Sequence, residues 1–139
     1  MLKFTRSRKK KTLGKIAWLE AFDIQKRVYF LMDKINLPHD KQSILIRRSV
    51  NANTRAYARI WGLGRIWQES LNLKPTYLIE VISEKFDSLP QGQKDEIILH
   101  ELAHIPHNFS GSLMPHKRKG KGNFHDKLET MISMYKRSK

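Results

Sequence analysis

The sequence predicts an α+β fold in which an N-terminal helix and a small mixed sheet precede an apolar helix and a C-terminal helix. Three observations carry this prediction. Apolar residues near the start recur with a helical period, the middle of the chain holds short runs rich in β-branched residues, and two further helical segments follow. With 139 residues, 40% of them hydrophobic, the chain is long enough for one domain with its own core, which we expect over residues 15–139.

The first predicted helix begins near Lys15 and ends at Asn36 and Pro38, because asparagine favours a helix end and proline cannot continue the helix. Its apolar residues recur at intervals of four, three and four, as on one helical face: Ile24, Val28, Leu31 and Ile35. We therefore expect this helix to pack its apolar face on the core.

Three segments in the middle of the chain predict β-structure. The first, Ser43–Val50, and the last, Thr76–Ile82, are rich in β-branched residues. Between them, Arg55–Leu71 predicts one or two short strands, with a turn or bulge at Gly62 and Gly64. Together these strands would form the small sheet.

The second predicted helix starts after Asp87 or Ser88, either of which can cap it, and Gln91 stands three residues after Ser88 as in a capping box. The helix ends before Pro106, since a proline disfavours helical backbone in the residue before it. A long loop rich in glycine, serine and lysine then leads to a final helix, predicted over Phe124–Tyr135.

The chain is strongly basic, with 27 Lys and Arg residues against 13 Asp and Glu residues and a net charge of +14. This balance predicts attraction to polyanions, above all to nucleic acid. Residues 1–14 contain several basic residues and no acidic one, so we expect a flexible basic arm there. This arm and the basic patch Lys117–Lys121 are the predicted contacts for DNA or RNA.

Three aromatic residues of the predicted sheet region have two interpretations: Tyr57, Trp61 and Trp67. They could form a stacking surface for nucleic-acid bases. They could equally be half-buried residues that pack on the sheet, which is the commoner role of such side chains.

The chain contains no cysteine, which excludes disulfides, thiolate metal sites and thiol nucleophiles. No apolar run approaches the roughly 20 residues of a membrane span, and the N-terminus lacks the apolar segment of a signal peptide. We therefore expect a cytoplasmic protein without a membrane partner.

The stretch EIILHELAHIPHNF places two histidines and a glutamate in an otherwise apolar helix. His100 and His104 are four residues apart and so lie on one helical face, where two imidazoles can bind the same metal ion. Glu101 is rotated about 100° from His100 and lies beside such an ion, where it can take a proton from a water that the ion activates. This spacing is the H-E-x-x-H signature of zinc metalloproteases and predicts bound Zn²⁺. The structural alternative is a pair of core histidines hydrogen-bonded to backbone.

A catalytic zinc ion generally has three protein ligands, so a third must come from elsewhere in the chain. Of the four remaining histidines, His39 and His107 are disfavoured by their places in an upstream loop and directly after a proline. His116 lies in the loop after the motif, and His125 opens the last helix, where its stripe of apolar neighbours predicts that it faces inward. Both His116 and His125 stay candidates, and two acidic residues of the last helix are alternatives: Asp126 and Glu129.

The segment LHELAHIPHNFSGSLMPH resembles the metallopeptidases of archaea and phages, whose motif reads HEL-x-HIP followed by an FSG-like loop. More distantly, this segment is similar to the SprT-like zinc proteases. The resemblance extends over about residues 20–137. The resemblance implies a minimal, gluzincin-like zincin fold, in which a helix and a small sheet precede the zinc helix. It also implies that the strand Tyr77–Ile82 pairs with an extended substrate peptide.

In SprT-like proteases the third zinc ligand is a histidine in a PHG-like context before a helix, and these enzymes act on proteins attached to DNA. His116 in MPHKRKG matches that context best, with Lys117 in place of the usual glycine, and His125 stays open. The resemblance therefore slightly favours His116 as the third ligand and implies a substrate near nucleic acid.

Two functions are compatible with these residues. The first is a zinc-dependent metallopeptidase that hydrolyses peptide bonds in a protein or peptide substrate, with Glu101 as general base. The alternative is a basic nucleic-acid-binding protein in which the metal is structural or absent. A closed structural site would need four protein ligands, and therefore both His116 and His125. Because His100, Glu101 and His104 are all present, the first hypothesis is favoured.

Overall fold

A four-stranded mixed sheet forms the centre of the protein in its computed structural model, which describes residues 14–116, 120 and 123–137. The strands are β1 (Ala17–Glu20), β2 (Ile44–Val50), β3 (Ala58–Gly62) and β4 (Tyr77–Ile82). The helices are α1 (Phe22–Lys34), α2 (Arg65–Leu71), α3 (Ser83–Phe86), α4 (Gln91–Ala103) and α5 (Phe124–Arg137). The predicted α+β class is thereby confirmed.

The strand order in the sheet is β1-β2-β4-β3, so β4 is a central strand and β1 and β3 are the edges. Strands β2 and β4 are parallel, and the other two pairs are antiparallel. Ile79 of β4 lies opposite Ile46 of β2 and Ile60 of β3, which places three β-branched side chains in one row. This row belongs to the inner face of the sheet, which shares its core with α1, α4 and α5.

The helix that carries the H-E-x-x-H motif packs in the core. The predicted apolar face of α1 is confirmed, since Ile24, Val28 and Leu31 are buried. Helix α4 contributes Leu99 and Leu102, which are fully buried. Because each such side chain stabilises the fold by about 1.5–3 kcal/mol when removed from water, α4 is fixed against the sheet and its neighbouring helices.

A buried carboxylate links three helices. The side chain of Asp95 on α4 accepts hydrogen bonds from Arg27 Nε at 2.8 Å and Arg27 Nη2 at 2.6 Å. The Tyr135 hydroxyl donates to it at 2.7 Å, and Gln91 Nε2 donates at 2.8 Å. With these partners the carboxylate can stay ionised inside the protein, and it ties α1 and α5 to α4.

The first helix starts later than the sequence predicts. Residues Ala17–Glu20 form the edge strand β1, antiparallel to β2, and α1 begins only at Phe22. All four residues of β1 are exposed, so its conformation is decided by backbone pairing with β2 rather than by burial of a helical face.

The prediction of one or two strands over Arg55–Leu71 is wrong for its second half. Strand β3 ends at Gly62, and helix α2 begins at Arg65 and ends at Leu71, followed by the C-cap residue Asn72, whose φ of 57° is left-handed. No residue of α2 is buried, so its apolar residues have no core to face and do not enforce a strand. An ion pair one turn apart, Arg65 Nε to Glu69 Oε2 at 3.1 Å, supports the helix.

Neither Asp87 nor Ser88 caps α4. That helix begins at Gln91 with Pro90 in the capping position, and no side chain bonds to its first backbone N–H groups. Asp87 instead accepts hydrogen bonds from Arg48 at 2.8 and 2.9 Å, because it directly follows the short helix α3 and faces β2.

Within the described residues, no helix is long and apolar enough to cross a membrane. The predicted basic arm, residues 1–14, lies outside the described residues except for Gly14, and the patch Lys117–Lys121 does so except for Gly120. The domain boundary at residue 15 and the cytoplasmic location stay predictions.

Candidate metal centre

Helix α4 and the loop after it bring three histidines together. His100 and His104 lie on the same face of α4, with ring centroids 5.2 Å apart. The loop adds His116, whose Nε2 lies 3.1 Å from Nε2 of His100. One ring nitrogen of each histidine lies within 4.8 Å of the others. The structure thus unites the two histidines of the motif with one of the two candidates for the third ligand.

The other candidate lies elsewhere. His125 is 46% exposed, and its Nε2 lies 3.3 Å from the carboxylate of Glu129, one turn further along α5. The expectation that His125 faces inward is therefore wrong, because the preceding residue, Phe124, takes the buried position at the start of this helix. The acidic alternatives Asp126 and Glu129 are also exposed.

The ring of Phe124 packs against all three imidazoles. Its centroid lies 5.0 Å from that of His100, 4.5 Å from that of His104 and 4.8 Å from that of His116. Sequence reasoning missed this residue, whose one signal was its place as the first apolar residue of the last helix. Its contacts limit the rotation of the imidazoles and shield one side of the cluster from water.

Backbone contacts between the loop and the end of α4 position His116. The N–H of Met114 donates to the carbonyl of His104 at 2.7 Å, and His104 Nδ1 donates to the carbonyl of Met114 at 2.6 Å. The second bond fixes which nitrogen of His104 carries the proton and leaves the Nε2 lone pair for a metal ion. Lys127 of α5 donates to the carbonyl of Ile105 and lies 3.7 Å from the sulfur of Met114. Helix α5 thus secures the loop just before His116.

The FSG segment of the loop docks on the sheet. The Tyr77 hydroxyl accepts a hydrogen bond from the N–H of Gly111 at 2.7 Å and donates to the carbonyl of Ser112 at 2.8 Å. Gln68 Nε2 donates to the carbonyl of Ser110 at 2.9 Å. Because Tyr77 begins the central strand β4, these bonds connect the loop that carries the third histidine to the middle of the sheet.

Two glycines allow the close approach of this loop to β3. Gly111 has a φ of +101°, a conformation that side chains disfavour. A Cβ added to Gly62 would lie 2.1 Å from the carbonyl oxygen of Gly111, which is far inside van der Waals contact. Only a hydrogen atom fits at residue 62 while the loop keeps this position.

We expect Gly62→Ala to weaken divalent-metal binding by about 10- to 100-fold, since the loop must move and displace His116. Competition with a chromogenic chelator would measure the affinity, and circular dichroism would check that the fold is retained. Gly92→Ala in the first turn of α4 is the matched control, because a Cβ there meets no atom within 4 Å. Equal metal affinity in the two variants would contradict the proposed link between β3 and the cluster.

Glu101 lies in the wall of a cleft of about 500 Å³ that also reaches His100. The residue is only 8% exposed, and burial raises the pKa of its carboxyl group to about 7. Other residues that line this cleft are mostly apolar: Leu89, Ile97, Leu128 and Ile132. A carboxyl group in such surroundings is costly to ionise unless a positive charge lies nearby.

Two of the three histidines are held in the neutral form near pH 7. Burial, together with a smaller effect of the neighbouring imidazoles of His104 and His116, lowers the pKa of His100 to about 4. Burial likewise lowers the pKa of His104. Neutral imidazoles keep a lone pair each, so the donor set and the buried carboxyl group beside it fit a divalent metal ion.

The implied pairing of a substrate with Tyr77–Ile82 is not possible in this fold. That segment is β4, and both of its edges are occupied, by β2 on one side and β3 on the other. Strand β3 is the edge strand nearest the cleft, since Ala58 and the preceding Tyr57 line it. An extended peptide therefore has β3 rather than β4 as its available partner.

The site combines two histidines of α4 and its C-terminal end, a third histidine from the following loop and a buried glutamate beside a cleft. This arrangement defines a protein with a candidate hydrolytic metal centre. A family model described as "putative phage metallopeptidase" matches residues 16–131, which is most of the chain. The chain belongs to this metallopeptidase family. No curated protein and no solved structure matches it.

Proposed function

We propose that the protein is a zinc-dependent peptidase with a minimal, gluzincin-like zincin fold. The observation that carries the proposal is the convergence of His100, His104 and His116 beside the buried Glu101. Three imidazoles are a preferred ligand set of zinc, and a three-ligand site keeps a position open for water and substrate. Bound there, Zn²⁺ would supply the Lewis acidity that activates water and polarises the scissile carbonyl group.

Glu101 has the position and the chemistry of a general base. Its carboxyl group faces the cleft next to His100, one residue from the first proposed ligand. As a carboxylate it would take a proton from the attacking water and then deliver that proton to the leaving amine, so that one peptide bond is exchanged for a carboxyl and an amino group. Burial raises its pKa towards neutrality, the range in which a general base is most effective.

The cleft and the free edge of β3 would bind the substrate. An extended peptide that adds to β3 places alternate side chains towards the cleft, because successive side chains of a strand point to opposite faces. The cleft wall formed by Ile97, Leu128 and Ile132 suits an apolar side chain. We therefore propose a protein or peptide substrate with an apolar residue beside the scissile bond.

The metal content of purified variants tests the ligand set. We expect about one zinc ion per native chain, and little or none in His104→Ala or His116→Ala, since a three-ligand site loses most of its affinity with one ligand. His125→Ala is the matched control and should keep its zinc, because that side chain is at the surface. Elemental analysis after dialysis at a fixed free zinc concentration gives the comparison.

Three results would contradict the proposal. If the native protein takes up no zinc, the proposed peptidase mechanism is wrong. Zinc retained by His116→Ala would exclude this residue as the third ligand. Loss of zinc in both His116→Ala and His125→Ala would instead indicate a closed structural site, and with it the alternative function of a nucleic-acid-binding protein without catalysis.

We further propose a role near nucleic acid. The net charge of +14, the basic arm of residues 1–14 and the patch Lys117–Lys121 favour a polyanionic partner. The proposed similarity to SprT-like proteases points the same way, because His116 stands in the loop before α5, where those enzymes carry their third ligand. The exposed position of His125 argues against a closed four-ligand site.

A further inference from the structure

The outer face of the sheet, opposite the metal centre, exposes two tryptophans. This outer face is formed by side chains from all four strands: Trp18, Leu45, Arg47, Arg59, Trp61, Leu78 and Glu80. Trp18 on β1 is 57% exposed and Trp61 on β3 is 53% exposed. Indole rings are large and mostly apolar, and they are ordinarily buried in a core or in an interface. Two exposed indoles on one face of the described structure therefore indicate a surface that binds a partner.

A buried carboxylate holds both indoles in place. Glu80 of the central strand β4 is fully buried, although it belongs to the outer face. Trp61 Nε1 donates to one of its oxygens at 2.9 Å, and Trp18 Nε1 lies 3.3 Å from the other. Arg59 Nε donates at 2.8 Å and balances the charge. Both indole N–H groups therefore point towards Glu80 in the sheet, and part of each ring is exposed.

Fixed, half-exposed rings on a sheet are suited to stacking. A base that stacks on a ring already held in one orientation costs the protein little conformational entropy. Each nucleotide offers the apolar face of its base to a ring and its phosphate to a nearby cation. Arg47 and Arg59 lie in the row of the sheet between the two tryptophans. The guanidinium of Arg59 also lies 5.3 Å from the Trp61 ring centroid, which keeps a cation beside that ring.

We propose that the outer face binds single-stranded nucleic acid, with bases stacked on Trp18 and Trp61 and phosphates near Arg47 and Arg59. The ligand class rests on the polyanionic partner proposed above, whereas the site is distinct from the basic arm and from Lys117–Lys121. The net charge of +14 favours a polyanionic partner. On the outer face Glu80 is buried and its charge is balanced by Arg59, which leaves Arg47 as the cation without an ion pair among the described residues of this face. Since the cleft lies on the opposite side of the sheet, one chain could hold nucleic acid and a peptide substrate together.

Binding of a short oligothymidine to the full-length protein tests this site. The intrinsic tryptophan fluorescence should be quenched on binding, and an abasic strand of equal length and charge should bind at least tenfold more weakly, because it has no bases to stack. Trp18→Ala and Trp61→Ala should each weaken oligothymidine binding by about tenfold or more. Trp67→Ala is the matched control, since Trp67 is 58% exposed but belongs to α2 and not to the outer face.

Two further variants separate stacking from folding and from charge. Trp61→Phe keeps an aromatic ring without the N–H group and should retain most of the affinity that Trp61→Ala loses. Glu20 is an exposed acid opposite Arg47 in the sheet register. Glu20→Gln should therefore raise the affinity about two- to threefold, because one charge that repels phosphates is removed.

Several outcomes would overturn the proposal. Equal binding of oligothymidine and the abasic strand, or unchanged binding in Trp18→Ala and Trp61→Ala, would place the contacts in the basic segments and leave nucleic-acid binding itself intact. If the native protein binds neither strand, the proposal of a nucleic-acid partner is wrong as well. If the tryptophan variants instead change the sedimentation of the free protein, the outer face is an interface between copies. None of these outcomes bears on zinc content or peptide hydrolysis.

Discussion

Glu101→Gln is expected to lower peptide hydrolysis by about 10²- to 10⁴-fold, the usual contribution of a general base, while the zinc content stays that of the native protein. Glutamine has nearly the size of glutamate but cannot accept the proton of the attacking water. Because Glu101 is not one of the three clustered histidines, its replacement leaves the proposed ligand set intact. Hydrolysis of a casein or peptide mixture, measured beside elemental analysis of the same samples, gives both readouts.

Glu96→Gln is the matched control for this variant. Glu96 lies on the same helix and lines the same cleft, but it is exposed. We expect its replacement to change hydrolysis by less than about threefold, since it neither contacts the cluster nor acts in the proton transfer. If Glu101→Gln keeps native activity, or if both variants lose it alike, the assignment of Glu101 as general base is wrong.

The metal-free protein offers a second test of Glu101. Its pKa is raised to about 7 by burial, so its protonated form is favoured by the fold. The stability that the protonated Glu101 carboxyl group contributes is fully present below the pKa of Glu101 in the unfolded chain, about 4.3. It is lost as the pH rises through the pKa in the folded protein, about 7. We therefore expect metal-free Glu101→Gln to be more stable than the metal-free native protein at pH 8, on the order of 2 kcal/mol, and close to it at pH 4. Urea unfolding in the presence of a chelator measures both.

Asp95→Asn is expected to destabilise the fold by about 3 kcal/mol, which is a large fraction of the stability of a small domain. The carboxylate is buried and bonded to Arg27, Gln91 and Tyr135, so its neutral replacement leaves the guanidinium without its counter-charge. Urea unfolding at pH 7 would show a lower midpoint with an unchanged slope. Although the residue lies on α4, it does not belong to the histidine cluster, so the zinc affinity of the folded fraction should change little.

The pH dependence of this effect has a defined sign. Burial opposes ionisation of Asp95, but hydrogen bonds from Arg27, Tyr135 and Gln91 outweigh it and lower the pKa. The resulting stability is present above the unfolded pKa, about 3.9, and is lost as the pH falls through the folded pKa. The difference in stability between native protein and Asp95→Asn should therefore shrink below pH 4.

Asp87→Asn is the control for Asp95→Asn. Asp87 also accepts two hydrogen bonds from one arginine, Arg48, but its side chain is 34% exposed. Water can replace the lost interaction there, so we expect a cost of about 1 kcal/mol or less. An equal cost for the two variants would show that burial does not set the strength of the Asp95 network.

Much of the architecture could be predicted from local patterns. The apolar face of α1 appears as predicted, although the helix begins at Phe22 and not near Lys15, and the β-branched runs form β2 and β4 close to their predicted bounds. These segments meet the core, so the periodicity of their side chains matches the surface they cover. Two of the segments whose structure was predicted wrongly, β1 and α2, have no buried residue. Where no core selects a face, hydrophobic periodicity carries no information, and backbone pairing or local helix propensity decides.

The sequence by itself determined how His100, Glu101 and His104 are placed relative to one another, because a spacing of four residues on a helix fixes their mutual position without any other part of the chain. Only the tertiary structure decided between His116 and His125 as the third member. That choice depends on Phe124 turning inward, on the two hydrogen bonds between Met114 and His104, and on the loop docked against Gly62. These contacts join residues far apart along the chain, and their geometry follows from packing around the whole core, which no local pattern encodes.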